Sequence, residues 1–364
     1  MTTTASLEPS RCASTLTPHQ HAGFELGWDY AHHDAAPPAP YDAEPSPLRN
    51  GLLAGRAAFG TRTLPATRPV RQWLQLRLNA WLRGRSVELF QVTPRFLAQI
   101  DVSHCPITRA ALSNPAQDGS AASIDRVRND AGYAAGNLVV MSRKANDAKG
   151  AHDWRGALAA VSRLQAEGLD AEGGLESAAW ARLALLCSFV EALPHAQACE
   201  LPLRLLPPNR LRLFNPVQAL QAMLSRQLLQ PGWSRRISRF EELLPGKPLQ
   251  RDFKRFFMAL LPRVLEAGKL ADSLPTRWAI EDAWCHPVVC ERWARFARQL
   301  DAAQCESLLV RAAAHGLATT GIEAMSPSQA TDGWNLASRG YVPHDGVAPS
   351  DARRSDPAQG VLAL

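Results

Sequence analysis

Between Ser123 and Lys149 lie residue types able to hold a hard cation and approach a phosphate. Residues 122–127 read as a short strand, and Asn129, Asp130, Gly132 and Gly136 mark a turn-rich loop. The apolar run 138–141 reads as a second strand, and Ser142 is placed to cap a following helix. This strand-loop-strand-helix unit puts the Asp125 carboxylate on the first strand and the Asn146 amide in the first turns of the helix. There both are expected to converge through oxygen on one divalent cation. Lys149, three residues beyond Asn146, shares its helical face and is expected to be available to a phosphate.

The passage resembles the core of HNH-type endonucleases, whose ββα-metal module has a phage-associated branch reading Ser-x-Asp-Arg-Ile, Gly-Tyr, Gly-Asn, an apolar strand and Ser-x-x-Ala-Asn-x-x-Lys. The corresponding residues here are Ser123, Asp125 and Arg126, then Gly132-Tyr133, Gly136-Asn137, and Ser142, Ala145, Asn146 and Lys149. Cys105 and Thr108 match a Cys-x-x-Thr pair that precedes the motif in similar proteins. Several residue types at fixed offsets make this more specific than a three-letter motif. The resemblance covers residues 99–152. It implies Asp125 and Asn146 as ligands of Mg²⁺, Mn²⁺ or Zn²⁺, Asn137 as a brace for the loop, and metal-assisted hydrolysis of DNA phosphodiesters. Arg126, Arg128, Arg143 or Lys149 would then offset charge in the transition state.

One position departs from the commoner HNH pattern. Where that pattern has a His acting as general base, this chain has Arg126, whose guanidinium stays protonated near neutral pH. His104 and His152 are the nearest replacements. Two readings follow: a metal-dependent endonuclease, or a non-catalytic nucleic-acid-binding or regulatory protein that retains the scaffold.

The elements around this unit are mostly helical. From Arg68 to Arg85, Val70, Trp73, Leu74, Leu78, Trp81 and Leu82 recur at helical spacing, with Thr67 as N-cap and Gly84 as stop. Arg71, Arg77, Arg83 and Arg85 decorate this helix, and with Arg128, Arg143 and Lys144 they are the candidate phosphate contacts. Helices are expected at 153–168, 174–192, 215–230, 234–244, 249–268, 276–300 and 301–315, punctuated by Pro and Gly. The fold class is therefore α+β, mainly α-helical: a small ββα-metal module plus a larger all-α domain, with disordered termini. The expected organisation is a disordered 1–50, a basic helical lead-in at 51–98, the HNH-like module at 99–152, an all-α domain at 153–322 and a disordered tail at 323–364.

Composition is compatible with this reading. The 364 residues are 46% apolar and 20% charged, as in a globular protein, and the net charge of +6 favours a polyanionic partner. DNA is the expected partner, with a protein partner for the helical domain a further expectation. The seven cysteines form no CxxC pair and read as reduced thiols. Cys285-His286 with Cys290 lacks a fourth ligand, and the adjacent His32-His33 reads as solvated. No secretory leader and no apolar run of about 20 residues is present, so a cytoplasmic, non-membrane protein is expected. The basic, aromatic-interleaved stretch from Trp233 to Arg255 is of the kind that tracks phosphates, although Glu241, Glu242 and Asp252 interrupt it.

Overall fold

The computed structural model describes residues 16–42, 44–113, 119–270, 272–318 and 325–342. These form two compact units, one holding residues 16–85 with Tyr341 and Val342, the other Ser86–Gly340.

The first unit consists of α1 (Pro18–His32), α2 (Pro47–Phe59) and α3 (Arg68–Leu82). Helix α1 lies in the stretch expected to be disordered, and α2 begins in it. Thr17 and Gln20 form a reciprocal capping box at the start of α1, and the Ser46 hydroxyl accepts from Arg49 N at the start of α2. Each helix has Pro at its first position, where no amide hydrogen is needed. The two backbones nearly touch: a Cβ on Gly27 would come within 1.9 Å of Leu48 O, and one on Gly51 within 1.9 Å of Phe24 O. Gly23, Gly27, Gly51 and Gly55 thus act by taking up no space, not by loosening the chain. Residues 1–15, also expected to be disordered, lie outside the described residues.

The second unit opens with α4 (Pro94–Ile100), followed by β1 (Ala122–Arg126), β2 (Leu138–Ser142) and α5 (Arg143–Lys149). The strands pair antiparallel, with Asp125 opposite Val139 and Ser123 opposite Met141. Every residue in both strands is buried. The Ser142 hydroxyl caps α5 by accepting from Ala145 N, and Gly150, at φ 45°, ends it. The helical part comprises α6 (Trp154–Glu167), α7 (Ser177–Phe189), α8 (His195–Glu200), α9 (Pro216–Leu228), α10 (Trp233–Leu243), α11 (Lys247–Ala267), α12 (Ser273–Ala283), α13 (Pro287–Ala297), α14 (Ala302–Ala314) and α15 (Pro327–Ala330). The single helix expected at 276–300 is two, because Pro287 opens a new helix behind the His286 cap.

One hydrophobic core runs from Cys105, Ile107, Val139 and Met141 through Trp180 and Phe253 to Trp293 and Trp334. The strands, α5 and the helical region therefore belong to one unit, and the expected boundary at 152/153 is not a boundary of the core. The described part of the expected tail is also ordered. Trp334 is fully buried, its Nε1 donating to Ala135 O at 3.1 Å. Burying an indole with its N–H satisfied supplies the ordering energy that a polar tail would lack. Residues 343–364 lie outside the described residues. No helix among the described residues is long and apolar enough to cross a membrane.

Candidate functional site

The loop between β1 and β2 is built around Asn137. Its Oδ1 accepts from Arg128 N at 2.8 Å, and its Nδ2 donates to Arg128 O and Gly132 O at 3.1 and 3.2 Å. Asn137 thus braces the loop across nine residues, with Val127 N donating to Asn137 O at 2.8 Å. Outer segments close over it. Tyr133 N donates to Ser86 O at 2.9 Å, Gly132 N donates to Trp334 O at 2.7 Å, and Gly340 approaches so near that a Cβ there would lie 2.3 Å from Ala131 C.

Arg126, which the resemblance would align with a general base, is a second brace. It is 2% exposed, its Nη1 donates to Asn129 O and Ala131 O, both at 2.9 Å, and its guanidinium lies over the Tyr133 ring at 5.2 Å. That face of the loop is held by a permanent cation, which has no proton-accepting nitrogen to offer.

Ser123 and Asp125 are two residues apart on β1 and so share a face, as do Asn146 and Lys149 on α5. Asn146 Nδ2 donates to Ser123 Oγ at 2.8 Å, and Lys149 Nζ lies 3.0 Å from Asp125 Oδ2. The second contact is one of charge rather than an aligned hydrogen bond. The ammonium instead donates to Arg126 O at 2.9 Å and Asn129 Oδ1 at 2.7 Å. Both Asp125 and Lys149 are fully buried. Cys187, on α7, is packed close enough to feel both charges, and burial pushes its thiol up to about 12.

The spacing therefore brings Asp125, Asn146 and Lys149 together, but with Lys149 turned inward instead of toward a phosphate. This bears directly on a divalent cation. Buried oxygens without hydrogen-bond partners, on Asp125 and on Asn146 Oδ1, are the kind a cation takes as ligands. Against that, the one carboxylate already faces an ammonium held inside an oxygen cage. A divalent ion would add two charges to a pocket whose one carboxylate is already matched by a buried ammonium, so these residues do not fit it.

The remaining candidates are dispersed. His104 is half-buried, its Nδ1 3.0 Å from Ser103 Oγ and its ring edge-on to Trp278. His152 is edge-on to Trp180. None of these contacts joins either His to Asp125 or Asn146. Arg128 pairs with Asp130 at 2.7 and 2.9 Å; burial alone would raise the Asp130 carboxyl, but the Arg128 hydrogen bond and charge hold it below its ordinary value. Arg143 is exposed and 3.5 Å from Asp147, and Lys144 is exposed. In the first unit Arg77 is buried against Asp29 and Trp73, and Arg85 is buried under Tyr341. Only Arg71 is fully exposed, while Arg83 is half-buried. The phosphate-contacting face expected of α3 is thus half consumed by internal contacts. His32 stacks on Phe59, and Cys105 Sγ accepts from Thr108 N at 3.4 Å.

The sequence marks Asn129 only as a turn residue, yet its Oδ1 holds Lys149 and its Nδ2 donates to Gly150 O at 3.0 Å. Its place in a turn between two motif residues was the available signal. Compared with protein-family models, characterised proteins and solved structures, the chain matches none.

Proposed function

We propose that this chain is a nucleic-acid-binding protein built on a ββα scaffold that does not hydrolyse the phosphodiester bond. The observation that carries the reading is the fully buried pair of Asp125 and Lys149 at 3.0 Å. Hydrolysis needs an electrophile or a base within reach of the scissile group. Here the carboxylate is spent on an ammonium, and Arg126 on loop carbonyls. The strand-loop-strand-helix unit itself is held together, because Asn137, Ser142 and Asn146 all make contacts that fix the loop and helix. Binding is supported by the net charge of +6 and by exposed cations of the helical region such as Arg251 and Lys254 on α11.

The test uses the full chain with supercoiled plasmid in Mg²⁺, Mn²⁺ or Zn²⁺, alongside an electrophoretic shift of duplex DNA. The expected result is a salt-sensitive shift with no open circles. Open circles formed by the wild type, and lost in a folded Asn146→Ala variant, would restore the endonuclease reading.

A further inference from the structure

Many exposed cations of the helical region pair one to one with an acid. Arg155 lies 3.0 Å from Glu191, Lys269 2.7 Å from Glu266, Arg163 pairs with Glu172, and Arg298 pairs with Glu200. Asp252 on α11 breaks this pattern. Its side chain is 7% exposed, and the carboxylate accepts from Gln299 Nε2 at 2.9 Å and lies 3.3 Å from Arg255 and 3.6 Å from Arg295. Burial would raise its carboxyl, yet the Gln299 hydrogen bond and the charges of Arg295, Arg255 and Arg251 hold it below the usual range. A fourth guanidinium is anchored beside it, since Arg292 Nη1 donates to Arg255 O at 3.0 Å.

Arg251, Lys254, Arg255, Arg292 and Arg295 are all exposed, and the acids on α11 and α13 are the buried Asp252, the exposed Glu291 and, at the far end of α11, the exposed Glu266, which pairs with Lys269. Among the described residues no carboxylate pairs with Arg251, Lys254 or Arg292. The surface is over-neutralised, and its guanidinium groups are partly fixed by a buried acceptor. Fixed, weakly hydrated forks lose little freedom on meeting a phosphate and can grip two of its oxygens at once.

We propose that this face of α11 and α13, centred on Asp252, binds the phosphate backbone of a nucleic acid. The inference rests on the nucleic-acid reading above and gives it a location. Lys247, Arg251 and Lys254 follow one another at about one helical turn, roughly 5 Å of rise each, so the cations form a row. A row of evenly spaced charges suits a polyanion of regular charge spacing better than a flexible acidic peptide, whose ordering would cost entropy.

The experiment measures fluorescence anisotropy of labelled duplex DNA against the full chain over a salt series, with polyglutamate as competitor. The variants are Arg251→Ala/Arg292→Ala, neither of which removes a direct contact to Asp252, and Arg143→Ala/Lys144→Ala on α5, each checked by circular dichroism. Removing Arg251 and Arg292 is expected to weaken binding at least about tenfold and lower the salt slope by about two, one for each lost phosphate contact. The α5 variant is expected to bind within about twofold of the wild type. Loss of binding in the α5 variant alone would overturn this surface while leaving the nucleic-acid reading standing. Competition by polyglutamate at charge concentrations equal to those of DNA would overturn the assignment to nucleic acid. No binding by the wild type at low salt would overturn both.

Discussion

Asp125 and Asp252 are both carboxylates withdrawn from water, yet they are compensated in opposite ways. Asp125 faces a single ammonium, itself fully buried, whose hydrogens are taken up by Arg126 O and Asn129 Oδ1. Asp252 is ringed by Arg251, Arg255 and Arg295, whose side chains reach into solvent. In the first case the charges close on themselves and the site is structural. In the second, positive charge is left over at the surface. On the proposed nucleic-acid reading, the difference puts recognition away from the motif that resembles a nuclease, because a partner is attracted by the charge a protein has not already satisfied.

The comparison is most sharply tested at Lys149. Lys149→Met keeps the length of the side chain but leaves Asp125 buried without a counter-charge, which is expected to cost about 3–5 kcal/mol. Urea denaturation followed by tryptophan fluorescence reads the loss. In an Asp125→Leu/Lys149→Met chain most of the stability should return, since an apolar pair of similar volume needs no compensation. If the double variant is no better than the single, the ammonium acts through Asn129 and Arg126 O rather than through Asp125. EDTA should leave the wild-type midpoint unmoved, as expected of a site whose resident cation is a side chain. Asn129→Ala is the smaller perturbation. It removes one acceptor from the ammonium and one donor to Gly150 O, for about 1.5–3 kcal/mol by the same measurement. A loss below that range would show the cage to be held by Asp125 and Arg126 O alone.

Much of the second unit was legible because its signals are local. Turn residues, an apolar run and the Ser142 cap located β1, β2 and the start of α5 to within a residue or so, and helical periodicity located α6, α7, α9, α10, α11 and α14. What failed depends on partners distant in the chain. The spacing of Asn146 and Lys149 shows that they share a face, but not that this face lies against β1 with no room for solvent. Arg77 and Arg85 looked like surface cations, because nothing local announces Asp29 or Tyr341 as their partners. The Pro-rich N-terminal stretch was read as disordered from its composition. Its Gly27, whose absent side chain lets α1 meet the α2 backbone at Leu48, carried the contrary signal of two backbones in contact. Trp334 gave a similar signal in the tail, since a lone Trp in a polar segment needs somewhere to go.

The Asp252 side of the comparison is tested by Asp252→Asn, the smallest of these effects on stability. The amide keeps the shape and an acceptor for Gln299 but removes the charge that the guanidinium groups surround. At neutral pH the thermal midpoint is expected to fall by only about 2 °C, as these pairs are partly exposed and screened. The sign of the pH dependence follows from the carboxyl being held below its ordinary value when folded. Its contribution is fully present above the unfolded value, near 4, and is lost as the pH falls through the lower folded value. Wild type and variant should therefore converge in acid and separate toward neutrality. DNA affinity should move the other way, rising slightly in Asp252→Asn because the surface gains one net positive charge. A variant that is less stable and also binds DNA more weakly at neutral pH would mean that Asp252 serves to orient the arginines more than to offset their charge, and that positioning outweighs charge at this surface.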